Sequence, residues 1–314
     1  MMKLVILDDY ERTTDRISFE QLSLANVNVE IFYDQAEGDE LVNRIRNADI
    51  IIPIRERTHF TRELLLRLPN LKLIAQTGSG IAHIDKEAAE EQGIEILSTP
   101  GGSQAVTELV FGLMIAHARQ ILPLDQGLKQ NKWPIAMGIG LAGKTLGLIG
   151  LGKIGAGVAG IAKAFGMRVI AWGPRLTEER ALLHDVEYVE LEQLFSQSDF
   201  LSVHVRLVPE TRNLIKAEHF KMMKRNAFFI NTSRGEIVDE EALVQALEEK
   251  QIAGAGLDVF TQEPLKAAHP LTELDNVILT PHIGWKTDST VEMFLNKALD
   301  NVIKYLKNKA KLKN

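Results

Sequence analysis

At 314 residues the chain is long for one hydrophobic core and suits two domains. A formal net charge of −6 argues against a body built to bind nucleic acid, and the absence of cysteine removes disulfides, thiolate metal ligands and cysteine nucleophiles. Hydrophobic residues at 45% and charged residues at 25% suit a soluble globular protein, so a cytoplasmic location is expected, with no nucleic-acid or membrane partner.

The chain opens on Lys3-Leu-Val-Ile-Leu-Asp8, which reads as a strand and not as a signal peptide. Short apolar runs recur at residues 4–7, 29–32, 50–54, 73–76 and 94–97 with helical patterns between them, which predicts a parallel sheet covered by helices. Arg55 and Arg57, after the third run, either line the mouth of a cleft or are solvated loop residues, and the solvated loop is the favoured reading. Ser98-Thr-Pro-Gly-Gly102 closes this series, and a helix is expected from about Gln104 to Arg119. Its apolar part contains Thr107 and Glu108 and is too short to span a bilayer.

Residues 120–143, with Trp133-Pro134 and the run 136–140, fit neither sheet. They are either disordered or an extension that embraces a second subunit, and the subunit contact is the favoured reading. A second series of strand-like runs follows at residues 146–149, 168–172, 200–204, 227–231, 254–259 and 277–279. After Pro281-His-Ile-Gly284 another helix begins near Asp288 and runs to about Tyr305, with Lys304, Lys307, Lys309, Lys311 and Lys313 as a solvated basic end.

The first strand of the second series leads into Gly150-Leu-Gly152-Lys153-Ile154-Gly155 and a helix over 153–165 that Gly166 stops. Gly150 permits a tight turn, Gly152 lets the backbone approach a pyrophosphate, and Gly155 lets helix and strand pack closely. The helix start offers free N–H groups to phosphates. Such a site normally carries an Asp or Glu about twenty residues on, for the ribose 2′-hydroxyl. Here the next strand ends in Trp172-Gly-Pro-Arg175, without the acid and with an arginine. Arg206, just after the run 200–204, is a second candidate for the adenosine pocket. NADP(H) is therefore favoured, with NAD(H) as the alternative.

Three more segments lie at the carboxyl ends of predicted strands, where open α/β sheets place ligands. They are Asn231-Thr232-Ser233-Arg234-Gly235, Asp258-Val-Phe-Thr-Gln-Glu263-Pro264 and Thr280-Pro-His282-Ile-Gly284-Trp285. Arg234 offers a planar fork for a carboxylate or the adjacent carbonyl. His282 is the proton carrier whose ordinary pKa lies near neutral, and Glu263 paired with it would fix the ring and raise its pKa. No metal site is expected.

With these motifs in this order, and with Val203-His-Val205 followed by Pro209-Glu-Thr211, the sequence resembles the D-isomer-specific 2-hydroxyacid dehydrogenases over essentially its full length. The resemblance implies an NAD(P)-dependent reduction of a 2-keto acid to the D-2-hydroxy acid, usually by a homodimer. It implies Arg234, Glu263 and His282 as catalytic residues. It places Thr107, Val205, Arg206, Pro209, Thr232, Ser233, Asp258 and His282 at the coenzyme, Asp258 as acceptor of the nicotinamide carboxamide or else as a turn-holding residue. It makes Thr77-Gly-Ser79-Gly80 the substrate loop, whose N–H groups receive a carboxylate unless the loop is a plain glycine turn, and gives Trp285 the substrate side chain to wall. His83 falls near that loop.

The fold so implied is α/β with two doubly wound parallel-sheet domains. A Rossmann nucleotide domain, 101–285, is inserted into a flavodoxin-like substrate domain, 1–100 and 286–314, with a hinged ligand cleft. The chain ends shortly after the return helix, which suggests that the added regulatory domain of some phosphoglycerate dehydrogenases is lacking. The alternative function is that of the family's nucleotide-sensing corepressors, which use the fold for partner capture.

Overall fold

The computed structural model describes residues 1–311; Lys313 of the basic end lies outside them. The chain divides into two compact units. One is Met1–Gly102 together with the chain from Lys286 onward, and the other is Ser103–Trp285.

The first unit holds β1 (Met2–Leu7), β2 (Val27–Ile31), β3 (Ile50–Pro53), β4 (Leu73–Gln76) and β5 (Glu95–Ser98). All pair in parallel, in the order β2-β1-β3-β4-β5, which is the flavodoxin-like order. Val5, Leu7, Ile51 and Ile74 turn one face of the sheet toward Ile45, Phe60 and Leu65, all of them buried. The long helix Asp288–Lys311 belongs to this unit and buries Phe294, Leu295, Ala298 and Val302.

The second unit holds β6 (Thr145–Ile149), β7 (Arg168–Trp172), β8 (Glu187–Tyr188), β9 (Phe200–Val203), β10 (Phe228–Asn231), β11 (Gly254–Leu257) and β12 (Val277–Leu279). Their order is β12-β11-β10-β9-β6-β7-β8, again all parallel. From β6 the chain winds first to β7 and β8, then returns to β9 on the other side, so the switch point lies between β6 and β9. Side chains alternate along each strand and both faces are covered. In β10, Phe228 and Ile230 enter one apolar cluster while Phe229 enters the other. The strands therefore read as continuous apolar runs and not as an alternation.

Two elements depart from the expectation. β8 was not anticipated, because its two residues, paired with Ile170 and Ala171 of β7, are too few to show a period. Residues 120–143 are not wholly irregular: Ile121–Lys129 is a helix with no buried residue, and the segment beyond it exposes Trp133, Ile135 and Met137. No single helix among the described residues is long and apolar enough to cross a membrane.

Candidate active site

The glycine turn after β6 is held by the Gly150 N–H, which donates to the Trp172 carbonyl at 2.7 Å. Gly150 has φ 102°, and a Cβ there would stand 2.9 Å from the His204 backbone; a Cβ on Gly155 would collide with the Gly150 carbonyl. Gly150 thus excludes a side chain for conformation and for room, and Gly155 for room alone. The helix Lys153–Ala164 starts at Gly152 with no side-chain cap, and the N–H groups of Gly152, Lys153 and Ile154 meet no acceptor among the described residues. This cradle fits a pyrophosphate.

At the far end of the expected nucleotide site, β7 gives way to an exposed turn carrying Arg175. No carboxylate stands between Trp172 and Leu176. The Arg175 carbonyl accepts from Nη1 of Arg180 at 2.6 Å, which pins the turn. Arg206 is also exposed, its carbonyl accepting from the Thr211 hydroxyl at 2.6 Å. Val205 and Pro209 lie in the same loop. Ser233 Oγ donates to the Val205 carbonyl at 2.6 Å, so this loop and the one after β10 are tied together. Thr232 Oγ1 is buried and lacks a hydrogen-bond partner, a polar atom left for a ligand. Thr107 lies inside the helix Ser103–Ala118, is 2% exposed, and donates to the Ser103 carbonyl at 3.0 Å.

The loops after β10, β11 and β12 converge. Asn231 accepts from the Ser233 N–H at 3.0 Å and donates to the Arg234 carbonyl at 3.0 Å, bracing the turn that presents the exposed Arg234. Gly235 lies so close to the Phe260 carbonyl that no side chain fits, which brings this turn onto the Asp258–Glu263 segment. Oε1 of Glu263 accepts from the Phe260 N–H at 3.0 Å and Oε2 meets His282 Nδ1 at 2.7 Å. Burial raises the Glu263 carboxyl, but the bonds from His282 and Phe260 and the charges of His282 and Arg234 outweigh it and hold the group below its ordinary value. An ionised Glu263 requires the proton on Nδ1. Nε2 of His282 makes no hydrogen bond among the described residues and is the ring's open end.

His282 sits at φ 51°, a left-handed conformation unusual for a side-chain-bearing residue. Asp258 supplies the compensation. Its oxygens accept from Thr280 Oγ1 at 2.6 Å, the Ile283 N–H at 2.8 Å and the Gly284 N–H at 2.8 Å. At 1% exposure the carboxylate holds the histidine turn, as the turn-holding alternative expects. Burial raises its pKa against these three bonds. Trp285, half-buried, follows directly.

In the first unit, the loop after β4 offers fewer donors than expected. The Gly78 N–H is taken by Thr99 Oγ1 at 2.6 Å, whereas those of the exposed Ser79 and of Gly80 meet no acceptor among the described residues. His83 is a core histidine: Nε2 lies 3.2 Å from Gln76 Oε1, and burial lowers its pKa. Arg55 and Arg57 are not solvated. Arg55 is buried, its N–H donating to Thr77 Oγ1 at 2.7 Å, and its guanidinium lies over Gly78 and pairs with Glu56 at 3.3 Å. Arg57 grips both oxygens of Glu11, at 2.8 and 2.9 Å, and donates to the Asp8 carbonyl at 2.5 Å.

Sequence reasoning therefore missed Asn231, Arg180 and Glu11, which position the named residues. Asn231 had a readable signal, an asparagine two and three residues before the groups its side chain bonds.

Comparison with known proteins agrees with this geometry. Residues 111–284 match the model of the D-isomer specific 2-hydroxyacid dehydrogenase NAD binding domain. A hydroxypyruvate reductase of Thermotoga maritima is 43% identical over 272 residues, spanning 85% of this chain and 88% of that protein. A D-3-phosphoglycerate dehydrogenase of Synechocystis sp. is 41% identical over 304 residues, 96% of this chain but 53% of the relative, so the chain spans about half that protein's length. The crystal structure of a phosphoglycerate oxidoreductase from Vibrio cholerae superposes with a TM-score of 0.87 at 34% identity, covering 98% of this chain and 100% of that one. On this matched span and these identities, the chain belongs to the D-isomer specific 2-hydroxyacid dehydrogenase family.

Proposed function

We propose that the protein reduces a small 2-keto acid to the D-2-hydroxy acid with a nicotinamide coenzyme. The observation that carries this reading is the Glu263–His282 pair, closed at Nδ1 and open at Nε2, on the same converging loops as Arg234. The coenzyme, when bound, supplies the hydride. Gly150, Gly152, Lys153, Ile154 and Gly155 hold its phosphates, Thr232 and Ser233 its nicotinamide end, and the second unit serves as the coenzyme domain.

Arg234 neutralises the substrate carboxylate and polarises the neighbouring carbonyl. Imidazolium His282 gives the Nε2 proton to the carbonyl oxygen, and Glu263 stabilises that imidazolium and fixes its orientation. In the reverse direction the neutral ring takes the hydroxyl proton. Ser79 and Gly80 of the first unit donate backbone N–H groups to the substrate, and Trp285 walls its side chain. The active form is a cytoplasmic homodimer in which the exposed Trp133, Ile135 and Met137 are covered by a second copy, which sedimentation tests.

NADP(H) is preferred because the turn after β7 carries Arg175 and no carboxylate. The experiment is the initial rate of NADPH and NADH oxidation with glyoxylate, hydroxypyruvate and pyruvate. Turnover of one of them supports the reductase reading, and silence with all despite coenzyme binding would defeat it. Arg175→Ala should cut the NADPH-to-NADH ratio of kcat/KM about tenfold or more; an unchanged ratio would defeat the coenzyme reading alone.

A further inference from the structure

Arg55, the cation at the glycine loop of the first unit, and Arg57 and Lys286 of the same unit are each matched by a carboxylate of that unit. Arg55, the one lying directly over the loop, has 10% of its side chain exposed and faces Oε1 of Glu56 at 3.3 Å. Arg57 is held in a two-pronged pair by Glu11, and Lys286 reaches the same carboxylate at 2.8 Å. Asp8 stands by as a further acid, its carboxyl accepting from Thr58 Oγ1. His83 adds no charge near neutral pH, since burial disfavours its protonated form. Arg55 therefore faces Glu56, and Arg57 and Lys286 share Glu11.

Within this balance Glu56 has the telling place. Its side chain is 35% exposed, and Oε1 lies so near Gly80 that a side chain on Gly80 would strike it. One carboxylate oxygen thus borders Gly80, one of the two residues, with Ser79, whose N–H groups meet no acceptor among the described residues. Two N–H dipoles can hold a single carboxylate. They cannot also offset a phosphate monoester of nearly two negative charges when every neighbouring cation is already paired and a carboxylate stands at the rim.

We infer that Glu56 is a specificity-determining residue that turns away 2-keto acids bearing a second, phosphorylated end and admits those with an uncharged tail. The inference rests on the keto-acid reductase reading and narrows its substrate class. The device is repulsive: it works against the unwanted substrate and adds nothing to the contacts of the accepted one. Arg55 then serves to hold the Glu56 carboxylate at the loop, and removing the carboxylate returns the arginine's charge to the site.

The test compares kcat/KM for hydroxypyruvate and for its 3-phosphate ester in the full chain, with Glu56→Gln and Glu56→Asp beside it. The unmodified protein should favour hydroxypyruvate, and Glu56→Gln should narrow the preference about tenfold, the scale of one screened like-charge contact near a surface. The change should fall on KM for the phosphate ester, shrink as salt is raised, and be absent in Glu56→Asp. A merely structural role would move both substrates together and ignore salt.

Preference for the phosphate ester in the unmodified protein, or a ratio in Glu56→Gln within about twofold of it, overturns the inference. Should no 2-keto acid turn over with either coenzyme, the reductase reading fails, and calorimetry with D-glycerate and D-3-phosphoglycerate decides the selectivity by itself. A preference for glycerate that Glu56→Gln erases sustains it, and equal binding sinks it.

Discussion

The imidazole of His282 is committed on one side and open on the other, and that asymmetry suits the proton-carrying role proposed for it. With Nδ1 bound to an ionised Glu263 at 2.7 Å, only Nε2 can exchange a proton with substrate. His282→Ala should therefore lower kcat by about three orders of magnitude, the upper range for a general acid, while calorimetric titration with NADPH shows coenzyme affinity retained. Undiminished turnover would remove His282 from the chemistry. Glu263→Gln keeps an acceptor for Nδ1 but loses the charge, and a fall in kcat of about tenfold to a hundredfold is expected, with KM for coenzyme unmoved. Arg234, Glu263 and His282 were legible in the sequence because they are chemistry-bearing side chains just past apolar strands, where nothing in the core requires them. The turn-holding job of Asp258 was legible only as an alternative. Which donors reach a carboxylate depends on the backbone, and the left-handed conformation of His282 that turns the Ile283 and Gly284 N–H groups inward leaves no mark in the residue string. Arg57 was misread as solvated for a related reason: Glu11, which grips it, lies 46 residues away along the chain.

At the scale of elements, two turns carry the site and each has one residue that cannot be exchanged. The turn after β12 is a strained segment closed by a buried acid. Asp258→Ala would leave three donors facing an emptied, buried space, at a cost of about 3 kcal/mol. Denaturant unfolding should show that loss together with a lowered kcat, because the histidine turn loses its support. Full stability in the variant would mean that the turn holds itself. The turn after β6 depends on Gly150, where a methyl group would press on the His204 backbone at 2.9 Å and φ is 102°. Gly150→Ala should weaken coenzyme binding more than tenfold and leave a smaller stability loss of about 1–2 kcal/mol. The strands flanking these turns were readable as apolar runs because both sheet faces are buried. β8 and the Ile121–Lys129 helix were not, since two edge residues show no period and that helix buries no side chain to impose one.

For the molecule as a whole, the two units should respond to acid to different degrees. In the second unit His117 stacks on Phe228 at 3.9 Å, and burial pushes its pKa from 6.5 down to about 4. His204, whose Nε2 is sealed without a partner, is likewise pushed down to about 4 by burial. The folded forms bind fewer protons than the unfolded chain between these values. Their contribution is thus complete above about pH 6.5 and lost as the pH falls toward about 4. In the first unit Glu11 is lowered to about 2: burial opposes this, but the bonds from Arg57 and Lys286 and the Arg57 charge prevail. Its contribution persists until the pH drops below the ordinary value of 4.5 and disappears only toward about 2. His83 of the first unit is likewise lowered by burial, but the second unit carries three such histidines, His117, His204 and His219, so acid should loosen Ser103–Trp285 before the rest. All three tryptophans, Trp133, Trp172 and Trp285, lie in that unit, so tryptophan fluorescence reports on it alone. Between pH 6.5 and 4 the emission should shift to the red while amide hydrogens of β1, β3 and β4 stay protected. His117→Leu should delay the shift to lower pH by removing one of the histidines that must charge. Loss of protection in β1 at the same pH as the fluorescence change would show that the two units unfold as one body and that these local titrations do not set the order.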